Sequence, residues 1–237
     1  RYGWLAVSGN RRGNLPEITA LIFDFDGVIV DTETPDFATW QQEFKAHGVE
    51  LDRELWSSFI GSSMEGFDIC GHLEDLAGQC VDREALQSRR RRRYINLVNS
   101  SPVLPGVMEY FGLARRCGMK IGVASSSTRS WVEGHMKRLG LIGCVDSIKT
   151  CDNVKNVKPD PELYRLSLDS LGASSAEGIA IEDSVNGVIS AVTAGLFCVA
   201  VPNEMTKSMD MGLAHLKLES LAEMSLKKLI DLAGDPV

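Results

Sequence analysis

A short apolar run that ends in two carboxylates constrains this chain more than any other feature. Residues 20–23 are Ala-Leu-Ile-Phe, and Asp24, Phe25, Asp26 and Gly27 follow directly. Because side chains alternate along a strand, Asp24 and Asp26 leave its end on the same side and point at one place. Two like charges held that close destabilise each other unless a cation lies between them or one is protonated. The pattern predicts a Mg²⁺ site with a nucleophile and a proton carrier.

Composition and charge exclude several classes of protein. The chain has 237 residues, 44% of them hydrophobic, which is enough for one large domain or one domain with a smaller insert. Its net charge of −7 disfavours nucleic acid or a membrane surface as a partner, since both are polyanionic. No stretch reaches the ~18 apolar residues that a membrane span requires, so we expect a soluble protein. A small phosphorylated substrate can still bind locally.

The cysteines and histidines suggest neither a disulfide framework nor a zinc site. The six cysteines occur at irregular spacings without a C-x-x-C pair, so we expect reduced thiols, with a redox-sensitive pair as the alternative. The four histidines are dispersed and lack the spacing of zinc ligands.

The order of elements predicts an inserted helical domain. After a first helix that ends near His47 and Gly48, only helical spacing follows, over 51–60, 64–78 and 82–99. This block is too long for an ordinary crossover between two strands. The predicted division is therefore a core of residues 18–32 and 104–237, a helical cap domain of 33–103, and an N-terminal extension of 1–17.

Downstream of residue 104, strands and helices alternate, which is typical of an open parallel sheet covered on both faces. The predicted fold class is α/β, a doubly wound, Rossmann-like sheet with the α-helical cap inserted. The pattern predicts further strands over 120–124, 145–149, 178–181, 196–201 and 216–218. It predicts core helices over 106–117, 129–139, 161–171, 185–194, 205–213 and 221–233.

Polar side chains follow three predicted strands where each strand ends. Asp24 and Asp26 end the first, Ser125 follows the second, and Glu182 with Asp183 ends another. In open α/β sheets ligands bind at the carboxyl ends of the strands, so we expect these groups to converge. Carboxylates, a hydroxyl and a nearby lysine describe a phosphoryl-transfer centre with its metal.

With Lys158-Pro159-Asp160-Pro161 between these strands, the sequence resembles the haloacid dehalogenase superfamily over about residues 18–203, and in particular its sugar-phosphate phosphatase and mutase branch. The resemblance implies that Asp24 is the nucleophile, giving an aspartyl-phosphate, and that Asp26 is the general acid and base. It implies Mg²⁺ ligands from Asp24, Asp183 and the backbone carbonyl of Asp26, with Glu182 outside the first shell of ligands.

The same resemblance implies that Ser125 and the backbone amide of Ser126 bind the transferring phosphoryl oxygens. A serine run also suits a helix N-cap, a role that Ser127 or Thr128 can fill. Lys158 is expected to stabilise both the phosphate and Asp24.

The cap contains a run of five arginines, Arg89 to Arg93. They span more than a helical turn, so they cannot share one face and most should be solvated. Arg90 aligns with a substrate-facing lysine of related mutases, which makes it a candidate to contact the far end of the substrate. The loop of residues 61–66 is where relatives place specificity residues, and it carries little positive charge here.

The leading interpretation is a Mg²⁺-dependent phosphatase of a small phosphorylated metabolite, and the alternative is a phosphosugar mutase of the β-phosphoglucomutase type. A mutase needs cations that grip a second phosphate. Where related mutases carry a histidine and a cap arginine, this chain has Asp36 and Met64, and Arg129 is a candidate for a partial substitute. A dehalogenase would dispense with Asp26, and a non-enzymatic scaffold would not need the complete set of motifs.

The sequence leaves the compartment and the oligomeric state open. Residues 1–17 contain three arginines and no acid before Glu17, as in an organelle transit segment, and a shortened chain explains them equally well. We therefore expect either a cytoplasmic or an organellar, for example plastid, location.

Overall fold

A computed structural model describes residues 17–58, 60 and 67–234. Within these residues, six parallel strands form one sheet in the order β3-β2-β1-β4-β5-β6. The strands are β1 (Ala20–Phe23), β2 (Lys120–Ala124), β3 (Ser147–Lys149), β4 (Gly178–Glu182), β5 (Phe197–Ala200) and β6 (Leu216–Lys217). The chain moves from β1 to one side of the sheet and returns to β4 on the other, so the order reverses between β1 and β4.

Helices cover both faces of the sheet. The core helices are α5 (Val107–Arg116), α6 (Arg129–Arg138), α7 (Glu162–Leu171), α8 (Val185–Thr193) and α9 (Leu226–Gly234). Because side chains alternate along a strand, Leu21 and Phe23 of β1 pack against α5 on one face. Ala20 and Ile22 pack against α7 and α8 on the other. The prediction of an α/β, doubly wound parallel sheet is confirmed.

Among the described residues, four helices lie between β1 and α5 and form the helical insert: α1 (Glu33–Ala46), α2 (Arg53–Ser57), α3 (Ile69–Ala77) and α4 (Arg83–Ser100). They enclose an apolar cluster of their own, formed by Trp40, Phe44, Leu51, Trp56, Ile60, Ile69, Cys70, Leu73 and Leu86 with Met205 from the core. Of the three apolar clusters formed by the described residues, this one lies mainly within the helical insert.

Ion pairs from the arginine run tie α4 to α1. Glu43 is buried on α1 and contacts Arg89 at 2.6 Å and Arg93 at 2.7 Å. Arg90 pairs with Asp36, and its guanidinium lies 4.5 Å from the centre of the Trp40 ring. Arg89, Arg91 and Arg92 are exposed, as expected for a run that circles the helix.

Two predicted helices near the C-terminus differ from the structure. The helix predicted over 205–213 is wrong, because this segment forms turns. The side-chain oxygen of Asn203 accepts bonds from the amides of Met205 and Thr206, and the Thr206 hydroxyl accepts from the Asn203 amide. Such local bonds compete with helix formation. The helix predicted over 221–233 is a 3₁₀ turn at Leu221–Glu223 followed by α9.

Two predicted helices of the insert are shorter in the structure than expected, and other predicted segments lie outside the described residues. The helix predicted over 51–60 is limited to α2, and that over 64–78 begins at Ile69 among the described residues. Residues 1–16 and the loop of residues 61–66, with Met64, lie outside them. All six cysteines are free of disulfides. None of the described helices is long and apolar enough to cross a membrane.

Candidate active site

The carboxyl edge of the sheet brings the predicted site residues together where the strand order reverses. Asp24 directly follows β1, Ser125 follows β2, and Asp183 follows β4. The Asp24 amide continues the β1–β4 ladder by donating to the carbonyl of Ile181 at 2.9 Å. Parallel strands end at one edge of their sheet, which explains why residues about 160 positions apart in sequence meet there.

Lys158 joins two carboxylates in the interior. Its Nζ lies 2.8 Å from Asp24 Oδ1 and 2.6 Å from Glu182 Oε1. The hydroxyl of Tyr164 donates to the same Glu182 oxygen at 2.6 Å. Lys158 is 2% exposed and Asp24 is 5% exposed, so these charges interact with little screening by water. A buried ion pair of this kind holds the Asp24 carboxylate in one orientation.

Negative charge exceeds positive charge in this buried cluster. Burial raises the pKa of Asp24, and Glu182 and Asp26 add to the rise against the opposing effect of Lys158. Burial, with repulsion from Asp24 and Glu182, raises the pKa of Asp183 well above its usual range. Although burial alone would lower it, the carboxylates of Asp24 and Glu182 raise the pKa of Lys158. One ammonium therefore does not compensate these carboxylates.

A divalent cation fits this excess of charge. Asp24, Glu182 and Asp183 are all buried and offer ligand oxygens that lie within 4.8 Å of one another. Hard carboxylate oxygens are the ligands that Mg²⁺ prefers. Asn203 Nδ2 donates to Asp183 Oδ2 at 2.6 Å and so orients that carboxylate from behind. A Cβ at Gly27 would come within 2.0 Å of the same oxygen, so position 27 has to be glycine.

Asp26 is half-buried and accepts four hydrogen bonds. Its Oδ1 accepts from the Thr32 hydroxyl at 3.0 Å and from the Trp131 indole Nε1 at 2.9 Å. Its Oδ2 accepts from the hydroxyls of Ser127 at 2.7 Å and Ser125 at 3.2 Å. With two donors on each oxygen, the orientation of the carboxyl group is defined.

The residues that follow β2, Ser125 to Thr128, have different hydrogen-bonding roles. The Ser125 hydroxyl accepts from the Ser127 amide at 3.0 Å while donating to Asp26. Thr128 is the N-cap of α6 and accepts from the Trp131 amide. Among the described residues, the buried Ser126 hydroxyl has no hydrogen-bond partner. Since the N-cap role falls to Thr128, Ser125 and Ser126 are not needed to start the helix.

A cavity of about 590 Å³ opens above these groups. It is lined by residues of both the sheet edge and the helical insert: Asp24, Asp26, Thr32, Glu33, Asp36, Ile60, Arg91, Tyr94, Ser126, Ser127, Thr128, Ser130, Trp131, Lys158 and Asp183. Burial and repulsion from Asp26 and Asp36 raise the pKa of Glu33 well above its usual range. The cavity is large enough for a small polar molecule.

The two arginines singled out from the sequence have other partners in the structure. Arg90 pairs with Asp36 and does not line the cavity, whereas its neighbour Arg91 does. Arg129 pairs with Glu133 at 2.7 Å and donates to the Ile148 carbonyl at 3.1 Å. Glu182 lies beside Lys158, as described above.

Sequence reasoning missed Thr32, Tyr94, Trp131 and Asn203. Asn203 follows an apolar strand at the same edge, so the rule that located Ser125 could have found it. Tyr94 directly follows the arginine run, and Trp131 follows Arg129 and Ser130 in the first turn of α6. Their position beside Asp26 has no local signal in the sequence.

The chain is similar to known proteins over most of its length. The family model described as "Haloacid dehalogenase-like hydrolase" matches residues 21–201. "Putative phosphatase YhcW" of Bacillus subtilis (strain 168) is 45% identical over 214 residues, covering 90% of this chain and 97% of that protein. Hexitol phosphatase B of Escherichia coli (strain K12) is 30% identical over 234 residues, covering 90% and 97%. The crystal structure of β-phosphoglucomutase from Clostridium difficile has a TM-score of 0.72 and 25% identity, covering 91% and 97%.

Proposed function

Because the chain belongs to the haloacid dehalogenase-like hydrolase family and is a phosphoric monoester hydrolase, we propose that it hydrolyses a small phosphorylated metabolite, such as a sugar phosphate, through a Mg²⁺-dependent aspartyl-phosphate. The observation that carries the proposal is the buried Asp24 carboxylate, held by Lys158 next to the paired acids Glu182 and Asp183. Burying this many charged groups destabilises a hydrophobic core, whereas phosphoryl transfer is catalysed by charged groups held in place.

Asp24 acts as the nucleophile in this proposal. Its Oδ1 contacts Lys158 Nζ at 2.8 Å and accepts from the Phe25 amide at 2.7 Å. With one oxygen engaged in this way, the carboxylate is fixed in the geometry from which it attacks phosphorus. Bond formation gives an aspartyl-phosphate and releases the alcohol of the substrate, and water then cleaves the acyl phosphate to inorganic phosphate.

Asp26 is the proposed general acid and base. It gives a proton to the leaving oxygen in the first step and takes one from water in the second. Ser125, the backbone amide of Ser126 and Lys158 bind the phosphoryl oxygens, and the Ser126 hydroxyl, which has no partner in the described part of the chain, is available as a further donor. Fixed donors that face developing negative charge are an effective form of catalysis.

Asp24, Asp183 and the backbone carbonyl of Asp26 are the proposed Mg²⁺ ligands. When bound, Mg²⁺ neutralises phosphate charge and helps to orient the phosphoryl group. Glu182 is engaged by Lys158 and Tyr164, which supports its place outside the first shell of ligands. Asn203 then serves to orient Asp183.

We further propose that residues 33–103 form a cap over a core of residues 18–32 and 104–237. The cavity is bounded by Glu33 of α1 and Tyr94 of α4 on one side and by the sheet edge on the other. Arg53 and Ser57 of α2 also contact the loop after β5, where the Ser57 hydroxyl donates to the Met205 carbonyl at 2.9 Å. A cap in this place would exclude bulk water from Asp24 during turnover.

Substitution of a proposed Mg²⁺ ligand should weaken Mg²⁺ binding more than substitution of a residue that only orients a ligand. Asp183→Asn should weaken Mg²⁺ binding by about 100-fold or more, and Asn203→Ala by about 10- to 100-fold, since residues behind a ligand matter less than the ligand itself. Calorimetric titration of Mg²⁺ into the EDTA-treated protein measures both. The exposed Asp169→Asn is the control and should bind like the wild type. Equal affinity in all three variants would rule out this ligand set.

A phosphosugar mutase remains the second candidate, supported by the β-phosphoglucomutase structure and by Arg91 in the cavity wall. Asp36, which stands where related mutases carry a histidine, is paired with Arg90, so it would repel a second phosphate less than a free carboxylate would. Arg91 and Lys158 are the cations among the described residues that line the cavity, and this shortage of positive charge still favours hydrolysis. The relatives named as phosphatases support the same preference.

A single assay separates the two activities. With β-glucose 1-phosphate and a trace of the 1,6-bisphosphate, we expect free phosphate to form faster than glucose 6-phosphate, because water competes better than a second phosphate for the aspartyl-phosphate. Coupled detection of both products provides the ratio. If isomerisation exceeds phosphate release by a large factor, the protein is a mutase.

A further inference from the structure

The indole of Trp131 contacts Asp26, and the proposed reaction steps assign no role to this contact. Trp131 is half-buried in the first turn of α6, and its Nε1 donates to Asp26 Oδ1 at 2.9 Å. The two residues are 105 positions apart in the sequence. A hydrogen bond from a half-buried indole N–H to a carboxylate beside the proposed nucleophile suggests a role in the geometry of the reaction.

Aromatic contacts on two sides hold the indole ring in place. Tyr94 of α4 stacks on Trp131 with ring centres 5.5 Å apart and planes 10° apart. His135, one turn further along α6, meets the ring edge-on at 4.2 Å. His135 in turn stacks on Phe25, the residue between the two aspartates, at 6.2 Å. The N–H vector is therefore set by packing from both the helical insert and the core.

The other donors to Asp26 are hydroxyls, which differ from an indole in one respect. Those of Thr32, Ser125 and Ser127 rotate about their C–O bonds and can exchange one acceptor for another. An indole N–H is a donor only, and it cannot turn away unless the whole ring moves. Trp131 is thus the donor among the four that defines the direction of the Asp26 carboxylate.

We propose that Trp131 is a positioning residue that orients Asp26 for proton transfer to the leaving oxygen, with Tyr94 setting the plane of the indole. This inference rests on the proposed role of Asp26 as general acid and base. Without the N–H, the carboxylate turns toward its hydroxyl partners and the proton-transfer geometry is lost. Small misplacements of a reacting group cost large factors in rate.

The test is Trp131→Phe, which removes the donor and keeps an aromatic ring. We expect kcat on an alkyl phosphate to fall by about 10- to 100-fold, with KM changed by less than about threefold. On p-nitrophenyl phosphate, whose leaving group needs little protonation, the loss should be much smaller. Trp56→Phe is the matched control, because its indole is buried in the helical insert and its Nε1 has no partner among the described residues. It should leave both rates unchanged.

The outcomes separate this inference from the proposed function. If the rate loss in Asp26→Asn depends on the leaving group and the rate loss in Trp131→Phe does not, Trp131 does not position Asp26. The inference then fails while the proposed function stands. A change confined to KM would make Trp131 a wall of the substrate cavity and would also overturn it. If Asp26→Asn itself shows no such dependence, the proposed role of Asp26 is what fails.

A second measurement tests the Trp131–Asp26 hydrogen bond without an activity assay, and it applies even if the Trp131→Phe variant does not fold. The chain has four tryptophans, so ¹⁵N-labelled protein gives up to four indole N–H resonances. We expect Asp26→Ala to move one of them strongly upfield, since that N–H loses its hydrogen-bond acceptor. Tyr94→Leu should move the same resonance by releasing the ring. No shift in either variant would overturn the inference.

Discussion

Asp24→Asn should reduce phosphate release by on the order of 10⁴-fold or more, because an amide cannot attack phosphorus and the covalent route is lost. The substitution preserves the volume of the side chain, and Lys158 keeps its partner Glu182 at 2.6 Å, so we expect the fold to persist. Phosphate release measures the rate. Acid quenching during turnover should trap a phosphorylated chain in the wild type and none in the variant.

The matched control is Asp75→Asn, an exposed aspartate on α3, which should retain full activity and become phosphorylated like the wild type. EDTA should abolish turnover in both the wild type and the control, since the excess buried negative charge calls for a cation. Near-normal phosphate release by Asp24→Asn in the presence of EDTA would contradict the whole site assignment.

Asp26→Asn should slow hydrolysis of an alkyl phosphate by about 10²- to 10⁴-fold, the range expected when general acid and base assistance is lost. An amide can keep some of the bonds that Thr32 and Trp131 now donate to Oδ1. The variant therefore tests proton transfer more than local structure. The loss should be smaller with p-nitrophenyl phosphate, and initial rates on both substrates provide the comparison.

A suitable control is Asp146→Asn, a carboxylate that pairs with Lys120 at the amino-terminal edge of the sheet, far from the cavity. It should alter neither rate. An equal loss on both substrates in Asp26→Asn would mean that Asp26 does not protonate the leaving group and would count against its assignment.

The outline of the fold and the residues at the strand ends could be predicted because both follow local rules. Alternation along β1 places Asp24 and Asp26 on one side, and parallel strands bring their carboxyl ends to one edge. Ser125 and Asp183 followed from the same rule. The prediction of a helix over 205–213 was wrong, because the side chains of Asn203 and Thr206 accept hydrogen bonds from nearby backbone amides. The spacing of apolar residues gives no information about such bonds.

Sequence pattern alone thus identifies the fold class, the acid pair and the groups that converge on it, since each depends on residues close together in the chain. The tertiary structure decides which partners those groups have. It pairs Arg90 with Asp36, leaves Arg91 facing the cavity, and puts Trp131 against Asp26 across 105 residues. The Arg90–Asp36 pair forms between α4 and α1, and the Trp131 contact joins α6 to the segment after β1. Their geometry depends on how whole helices pack against one another, which cannot be predicted from the spacing of residues in the sequence.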